Sequence, residues 1–273
     1  MKNIFRIIVS LILATAITGL SAANVFCAEE GSKKMEKKYQ SLSVATYNIK
    51  DGRHKIDDAA EKRTVRENLE NIAKLIVQYS PDIIGLQEVD NMADRTGKVD
   101  QIKLLSELTG YPYYQFTKAI NIKGGEYGHA ILSRYPIVSH DVVVLPAFKS
   151  GQEQRALSHA VIDVNGKLVN FYNTHINSGK DGTSADVFSR IGNATAGVES
   201  AILTGDFNSN YKDGFFAALK TFKFINHGNY LTTAGSSIDN IGYTKDFTVE
   251  LYGVASEDYS DHLMVYTVLK FEK

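Results

Sequence analysis

Six positions along the chain join a chemically useful side chain to the end, or an interruption, of an apolar run: Asn48, Glu88, His175, Asp206 with Asn208, Asp239 with Asn240, and Asp261 with His262. The clearest is 201–208, Ala-Ile-Leu-Thr-Gly-Asp-Phe-Asn. There Ile202 and Leu203 read as the last buried positions of a strand, and Gly205 permits a tight turn. Asp206 and Asn208 then present a charge and a dipole together at the strand's carboxyl end, where α/β proteins keep their chemistry. Taken singly, each position also reads as a turn former or a backbone-bonded histidine. Their recurrence is what points to a site.

Attack of water on a phosphoric ester needs such a set. The ester's oxygens repel an anionic nucleophile, and a hard divalent cation held by carboxylate and amide oxygens offsets that charge. Glu88, Asn48 and Asp261 fit a Mg²⁺ site of this kind. The attacking water must also lose a proton, for which a histidine near its own pKa is suited. Asp239 is suited to fix that histidine's tautomer and stabilise its cation. Zinc fits less well, because no close His–His pair or cysteine cluster supplies its usual spacing.

The elements that must position these groups follow from periodicity. Alternation predicts a strand over 42–47 ending at Asn48. Val65, Leu69, Ile72 and Ile76 predict a helix over 61–79, stopped by Ser80-Pro81. A buried strand over 83–89 then delivers Glu88. Strand, helix, strand is a right-handed βαβ opening, so Asn48 and Glu88 are expected to converge across forty residues. A short helix is predicted over 100–109 with Leu104, Leu105 and Leu108 inward, followed by an aromatic cluster at Tyr111, Tyr113, Tyr114 and Phe116. Antiparallel pairing is expected among 142–145, 156–164 and 168–174, with Asn165-Gly166 as a hairpin turn. A helix with a poor pattern is predicted within 184–200, another over 213–219, and strands over 237–241, 247–251 and 263–269.

Residues 1–28 differ from the rest. Lys2 and Arg6 precede an apolar run over 7–20 and then small residues, the pattern of a secretory signal peptide. The expectation is therefore an exported protein: leader 1–28, flexible lead-in 29–40, and one domain over 41–273, a monomer with no stable membrane insertion once the leader is cleaved. Cleavage after Cys27 or Ala28 removes the single cysteine, which excludes a disulfide framework. The leader carries two positive charges, so its loss takes the formal net charge from −1 to about −3. Such a surface counts mildly against an obligate nucleic-acid substrate.

An ordered set of phrases then gives the chain a relative. Thr46-Tyr47-Asn48-Ile49, Leu86-Gln87-Glu88-Val89, Tyr127-Gly128-His129-Ala130-Ile131-Leu132-Ser133-Arg134-Tyr135-Pro136-Ile137, Asn173-Thr174-His175, Gly205-Asp206-Phe207-Asn208, Ser237-Ile238-Asp239-Asn240-Ile241 and Ser260-Asp261-His262 occur in that order. From Leu42 onward the chain resembles the endonuclease/exonuclease/phosphatase family, and within it the broad group of bacterial metal-dependent hydrolases.

The resemblance implies a four-layer α/β sandwich, two packed mixed sheets with outer helices and one cleft at the sheet ends. It implies hydrolysis of phosphoric esters by in-line attack of water with Mg²⁺, or with Mn²⁺ or Ca²⁺ in its place. By motif position, Glu88 is then the principal metal carboxylate, Asn48 its neighbouring amide and Asp261 a second carboxylate. His262 is the general base and Asp239 its orienting partner. Asp206 and Asn208 position water and stabilise the pentacovalent phosphate, and His175 contacts phosphate or aids the leaving group. Arg155, Tyr127 and His129 are candidate substrate contacts, and Arg134 is a weaker one. The partner is a phosphate ester, either nucleic acid or a lipid or inositol headgroup. The absence of tryptophan removes the aromatic membrane-inserting hairpin of secreted sphingomyelinases. A catalytically silent binding protein on the same fold is the alternative from another class.

Overall fold

The computed structural model describes residues 38–54, 63–145, 147, 153–178 and 183–273. The expected leader, the lead-in up to residue 37, the first two residues of the helix predicted over 61–79, and the start of the polar segment at 179–182 lie outside the described residues. In chain order the elements are β1 (Tyr39–Asn48), α1 (Val65–Tyr79), β2 (Ile83–Asn91), α2 (Gln101–Thr109), β3 (Tyr113–Ile122), β4 (Gly125–Ser133), β5 (Ile137–Leu145) and β6 (Arg155–Val164). They continue with β7 (Lys167–His175), α3 (Ser184–Ala194), β8 (Ala201–Asp206), β9 (Lys223–Phe224), β10 (Asp239–Tyr243), β11 (Phe247–Val254) and β12 (Val265–Glu272).

The strands form two mixed six-stranded sheets, ordered β11-β12-β1-β2-β4-β3 and β5-β6-β7-β8-β10-β9. Their inner faces meet in a core of Leu42, Val44, Ile83 and Ile131 from the first sheet against Ile162, Phe171, Ile202 and Ile241 from the second. The outer face of the first sheet is covered by Leu69, Ile72, Ile76 and Leu105 of α1 and α2. That of the second is covered by Phe188 and Ile191 of α3 together with Phe216 and Leu219. This is the four-layer α/β sandwich expected from the sequence, with helices only on the outside.

One topological fact gathers the chemistry. β1 runs parallel to β2, and β7 parallel to β8, so Asn48, Glu88, His175 and Asp206 arrive near carboxyl ends at one rim. β4, β6, β10 and β12 run antiparallel to those neighbours, so it is their amino ends that reach the same rim. Tyr127, His129, Arg155, Asp239 and the Asp261-His262 pair just before β12 are delivered in this way.

The sheets are also locked by buried polar groups. Asn173 of β7 accepts from Gln87 Nε2 at 2.7 Å and donates to the carbonyls of Leu86 and Ala130, at 3.0 and 2.9 Å. Gln87 donates further to Thr46 Oγ1 at 2.9 Å. Gly85 sits beneath this crossing, where a Cβ would lie 2.2 Å from Thr204 Oγ1. Glycine at that position allows the two sheets their close approach.

Several sequence expectations shift. β1 begins at Tyr39, so the last two residues of the expected lead-in pair with Glu272 and Phe271. α1 begins at Val65, because Thr64 and Glu67 close a capping box there. In α2, Leu105 is buried but Leu108 is exposed, and Ile102 takes the inward place. α3 ends at Ala194, and the helix predicted over 213–219 is two 3-10 turns, at Tyr211–Asp213 and Phe215–Ala218, broken by left-handed Gly214. Tyr113 and Tyr114 lie exposed on the edge strand β3, while Tyr111 is buried.

Candidate active site

Glu88 is placed by a defect in its own strand. In the β2–β4 ladder Gln87 faces His129 and Val89 faces Gly128, leaving Glu88 as the extra residue of a bulge. Its φ of 54° is in the left-handed region, uncommon for a residue with a Cβ. A bulge re-aims the side chain it carries, and such strain gathers at functional sites.

The re-aimed carboxylate meets the other sheet through Asn48. Asn48 Nδ2 donates to Glu88 Oε1 at 2.9 Å and to Asp206 Oδ2 at 3.0 Å. Its Oδ1 accepts from the Lys50 backbone N–H at 3.0 Å, so the amide expected as a metal ligand braces the two carboxylates in this arrangement. Burial raises the pKa of Glu88, and burial followed by the charge of Asp239 raises that of Asp206. Asp206 Oδ1 accepts from the Asn208 N–H at 2.9 Å, with Asn208 itself held at a φ of 45°.

His262 is aimed by Asp239. Its Nδ1 lies 2.8 Å from Asp239 Oδ2, so Nε2 turns towards Asp206 Oδ2, 3.7 Å away. Burial opposes charge on the ring, but the carboxylates of Asp239, Asp206 and Asp261 outweigh it and lift the pKa to about 10. Asp239 holds its backbone N–H on Thr232 Oγ1, while its Oδ1 is buried with no partner among the described residues.

His175 is the counterpart with reversed surroundings. Nε2 lies 3.4 Å from Asp206 Oδ2 and 3.2 Å from Asn208 Nδ2, but Nδ1 faces Arg155 Nη1 at 3.4 Å. A guanidinium only donates, so Nδ1 can meet it only as an acceptor, while Nε2 lies between an acceptor, Asp206 Oδ2, and a donor, Asn208 Nδ2. Burial, then the Arg155 charge, hold the His175 pKa well below its ordinary value.

Arg155, expected to touch substrate, is also fixed by Asn177 Oδ1 at 2.7 Å and Glu153 at 3.2 Å. Its guanidinium lies 6.0 Å from the centre of the Tyr127 ring, with that of Arg95 at 5.2 Å from the same ring. His129 is fully buried, its pKa pushed down to about 3 chiefly by burial, and its Nε2 has no partner among the described residues. Arg134 stacks on Tyr111 and bonds Ser80 away from this cluster.

Asp261 lies apart from Glu88 in its bonding. Lys50 Nζ binds Asp261 Oδ2 at 2.5 Å; burial raises the pKa of this acid, but the Lys50 contact and the His262 charge together outweigh it and keep the pKa below its ordinary value. The sequence reading did not anticipate Lys50, nor Asn177. Asp51 was missed as well, a buried acid paired with Arg53 and Arg95 beside the cluster. A lysine two residues after Asn48 was visible, but nothing in the sequence paired it with Asp261 across 211 positions.

Two sets of ligand atoms lie within 4.8 Å of one another: Glu88, His175 and Asp206, and Asp206, Asp239 and His262. The two carboxylates of the first set, Glu88 and Asp206, fit a hard cation, since Glu88 is half-buried and its bonded partner is an amide rather than a cation.

Two packed mixed sheets with an acid, amide and imidazole cluster at one rim define an α/β-sandwich of the phosphoesterase and nuclease type. The chain belongs to the Endonuclease/Exonuclease/phosphatase family, whose family model matches residues 45–262. It is similar in fold to an endonuclease/exonuclease/phosphatase family protein from Bacteroides thetaiotaomicron, with a TM-score of 0.71, 20% identity, and coverage of 86% of this chain and 100% of that one. A mannosyl-6-phosphatase from the same organism gives a TM-score of 0.66 at 20% identity, over 84% and 99% of the two chains. The catalytic domain of human Nocturnin gives 0.63 at 20%, over 86% and 97%. No curated protein matches the chain significantly.

Proposed function

We propose that the chain is an exported, Mg²⁺-dependent hydrolase of phosphoric esters of phosphodiesterase type, in which His262 is the general base. The observation that carries this reading is the Asp239–His262 pair at 2.8 Å, which turns Nε2 towards the carboxylate shared with Glu88's partner Asn48.

Glu88 and Asp206 would hold the cation, braced by Asn48, with Asp261 in reserve behind Lys50. Once bound, the cation offsets the negative charge of the phosphoryl oxygens. His262 Nε2 takes the proton of the attacking water, and Asp239 stabilises the resulting imidazolium. On the other side of Asp206, His175 offers Nε2–H as a neutral donor to a phosphoryl or leaving-group oxygen. Arg155, a donor facing Nδ1, favours that tautomer. Asn208 contributes its amide beside it. Export rests on the leader pattern of residues 1–28. The described residues contain no helix long and apolar enough to cross a membrane.

The test is product identification after incubating the leaderless protein and Mg²⁺ with DNA, RNA, sphingomyelin, phosphoinositides and soluble phosphoesters, beside an EDTA blank. Turnover of at least one ester that is lost with EDTA and in His262→Ala supports the reading. An inactive protein, or turnover indifferent to both, rejects it.

A further inference from the structure

Glu88 and Asn48 meet at 2.9 Å, at the point where their two strands part. The parallel ladder of β1 and β2 runs from Val44 with Ile83 to Asn48 with Gln87, and the Ile49 N–H on the Gln87 carbonyl at 3.0 Å closes it. Beyond that bond β2 bulges at Glu88 and follows β4, with Val89, Asp90 and Asn91 paired to Gly128, Tyr127 and Glu126. The chain leaving β1 turns away through Lys50, Asp51 and Gly52, all left-handed, at φ of 47°, 47° and 74°. Both groups therefore stand next to strained backbone at the open end of a ladder, and such strain persists only where the surroundings over-determine it.

One side chain bridges the opening. Gln101, the first residue of α2 and fully buried, accepts from the Asp90 N–H at 2.9 Å and donates to the Asp51 carbonyl at 2.6 Å. A side-chain amide carries the same donor and acceptor as a peptide group, so Gln101 serves as a further rung between two chains that no longer pair. The rung sits two residues past Glu88 and three past Asn48. Arg95 makes a second tie between the same two residues, bonding both oxygens of Asp90 at 2.9 and 2.7 Å and reaching Asp51 Oδ2 at 3.1 Å. Thr96 Oγ1 donates to Asp90 at 3.0 Å. The far side of the turn is held by Asn68 Nδ2, which donates to the Gly52 carbonyl at 3.1 Å and to that of Tyr259 at 2.8 Å.

We infer that Gln101 is a positioning residue of the cation site: by holding Asp90 to Asp51 it sets the Glu88 carboxylate against the Asn48 amide, with Arg95 as a charged second tie. The inference rests on the phosphoester-hydrolase reading only for what that pair then does.

Gln101→Met keeps the length of the side chain and removes both bonds. Its Mn²⁺ affinity, measured by calorimetry, is expected to fall about tenfold, the lower end of what a group behind a metal ligand is worth. In the metal-free protein, the Asn48 Nδ2 proton bonded to Glu88 is expected to move to the free-amide position in NMR spectra. Leu269→Ala, a cavity opposite Leu42 far along β1 from Asn48, also lowers the melting temperature but leaves both readings at parental values. Should Gln101→Met not fold, Gln101→Ala, which admits water to the two stranded groups, replaces it with the same expected outcomes. Parental affinity or a parental Asn48 signal in the Gln101 variant, or equal changes in Leu269→Ala, overturns the assignment and leaves Gln101 a packing residue. A parent that hydrolyses no ester or binds no Mn²⁺ defeats the hydrolase reading separately, and the Asn48 signal alone then decides the role of Gln101.

Discussion

His175 and His262 approach the same oxygen, Asp206 Oδ2, at 3.4 and 3.7 Å, yet their far nitrogens meet opposite charges. His262 Nδ1 faces the Asp239 carboxylate and His175 Nδ1 faces the Arg155 guanidinium. One imidazole is thereby made basic and the other held neutral. Two titratable groups pushed apart by their surroundings in this way divide a reaction into a proton-accepting and a proton-donating side.

The two rings should titrate differently. In the metal-free protein His262 stays protonated until the pH nears 10, whereas His175 remains neutral through the neutral range. A raised folded-state pKa contributes stability that is fully present below about 6.5, the ordinary histidine value, and is lost as pH rises through about 10. Melting temperature should therefore fall across that window and fall less in Asp239→Asn. Imidazole NMR titration checks the protonation states, and an unaltered slope in Asp239→Asn would remove Asp239 as the cause.

Cation binding should depress the His262 pKa, because charge on Asp206 is one reason it is high. Added Mg²⁺ is expected to move the His262 imidazole titration towards neutrality. The same spectra recorded with and without the ion decide this, and superimposable curves would count against a cation beside Asp206.

Glu88→Gln should weaken Mn²⁺ binding about tenfold or more in calorimetry, since it removes a half-buried carboxylate from the cluster. Lys50→Met should act in the opposite sense, strengthening binding about three- to tenfold by releasing Asp261 and removing a nearby positive charge. Weaker binding in Lys50→Met would show that the lysine supports the cation site instead of competing with it.

Asn173→Ala should cost about 2–4 kcal/mol of folding stability, because it strands Gln87 and the carbonyls of Leu86 and Ala130 between the sheets. Urea unfolding measures it. A loss below about 1 kcal/mol would mean the crossing is hydrated and not a lock.

Much of this was legible in the sequence, for an identifiable reason. Apolar runs that stop on Asn48, Glu88 and Asp206 mark buried strands reaching solvent, and parallel pairing sends those ends to one rim. Asp239 opens its strand and His262 precedes one, and they reach the same rim only because β10 and β12 run antiparallel, which periodicity does not reveal. Nor does it reveal the bulge that aims Glu88. Thr46, Gln87 and Asn173 sit inside the telling phrases, yet they lock the sheets and do no chemistry. The weak helical pattern near Gly192 has a packing cause, since a Cβ there would lie 2.3 Å from the Ala218 carbonyl oxygen. Long-range pairs such as Lys50 with Asp261 leave no local trace at all.

Hydrolysis of a phosphoric ester in ¹⁸O-labelled water, by the parent and by His262→Gln in the same Mg²⁺ buffer, tests the proposed chemistry most directly. Attack of water at phosphorus with His262 as base predicts label in the phosphate-bearing product and a turnover lowered about 10²–10⁴-fold in the variant, with its fold intact. Label in the released alcohol, or equal turnover by the two proteins, would contradict it.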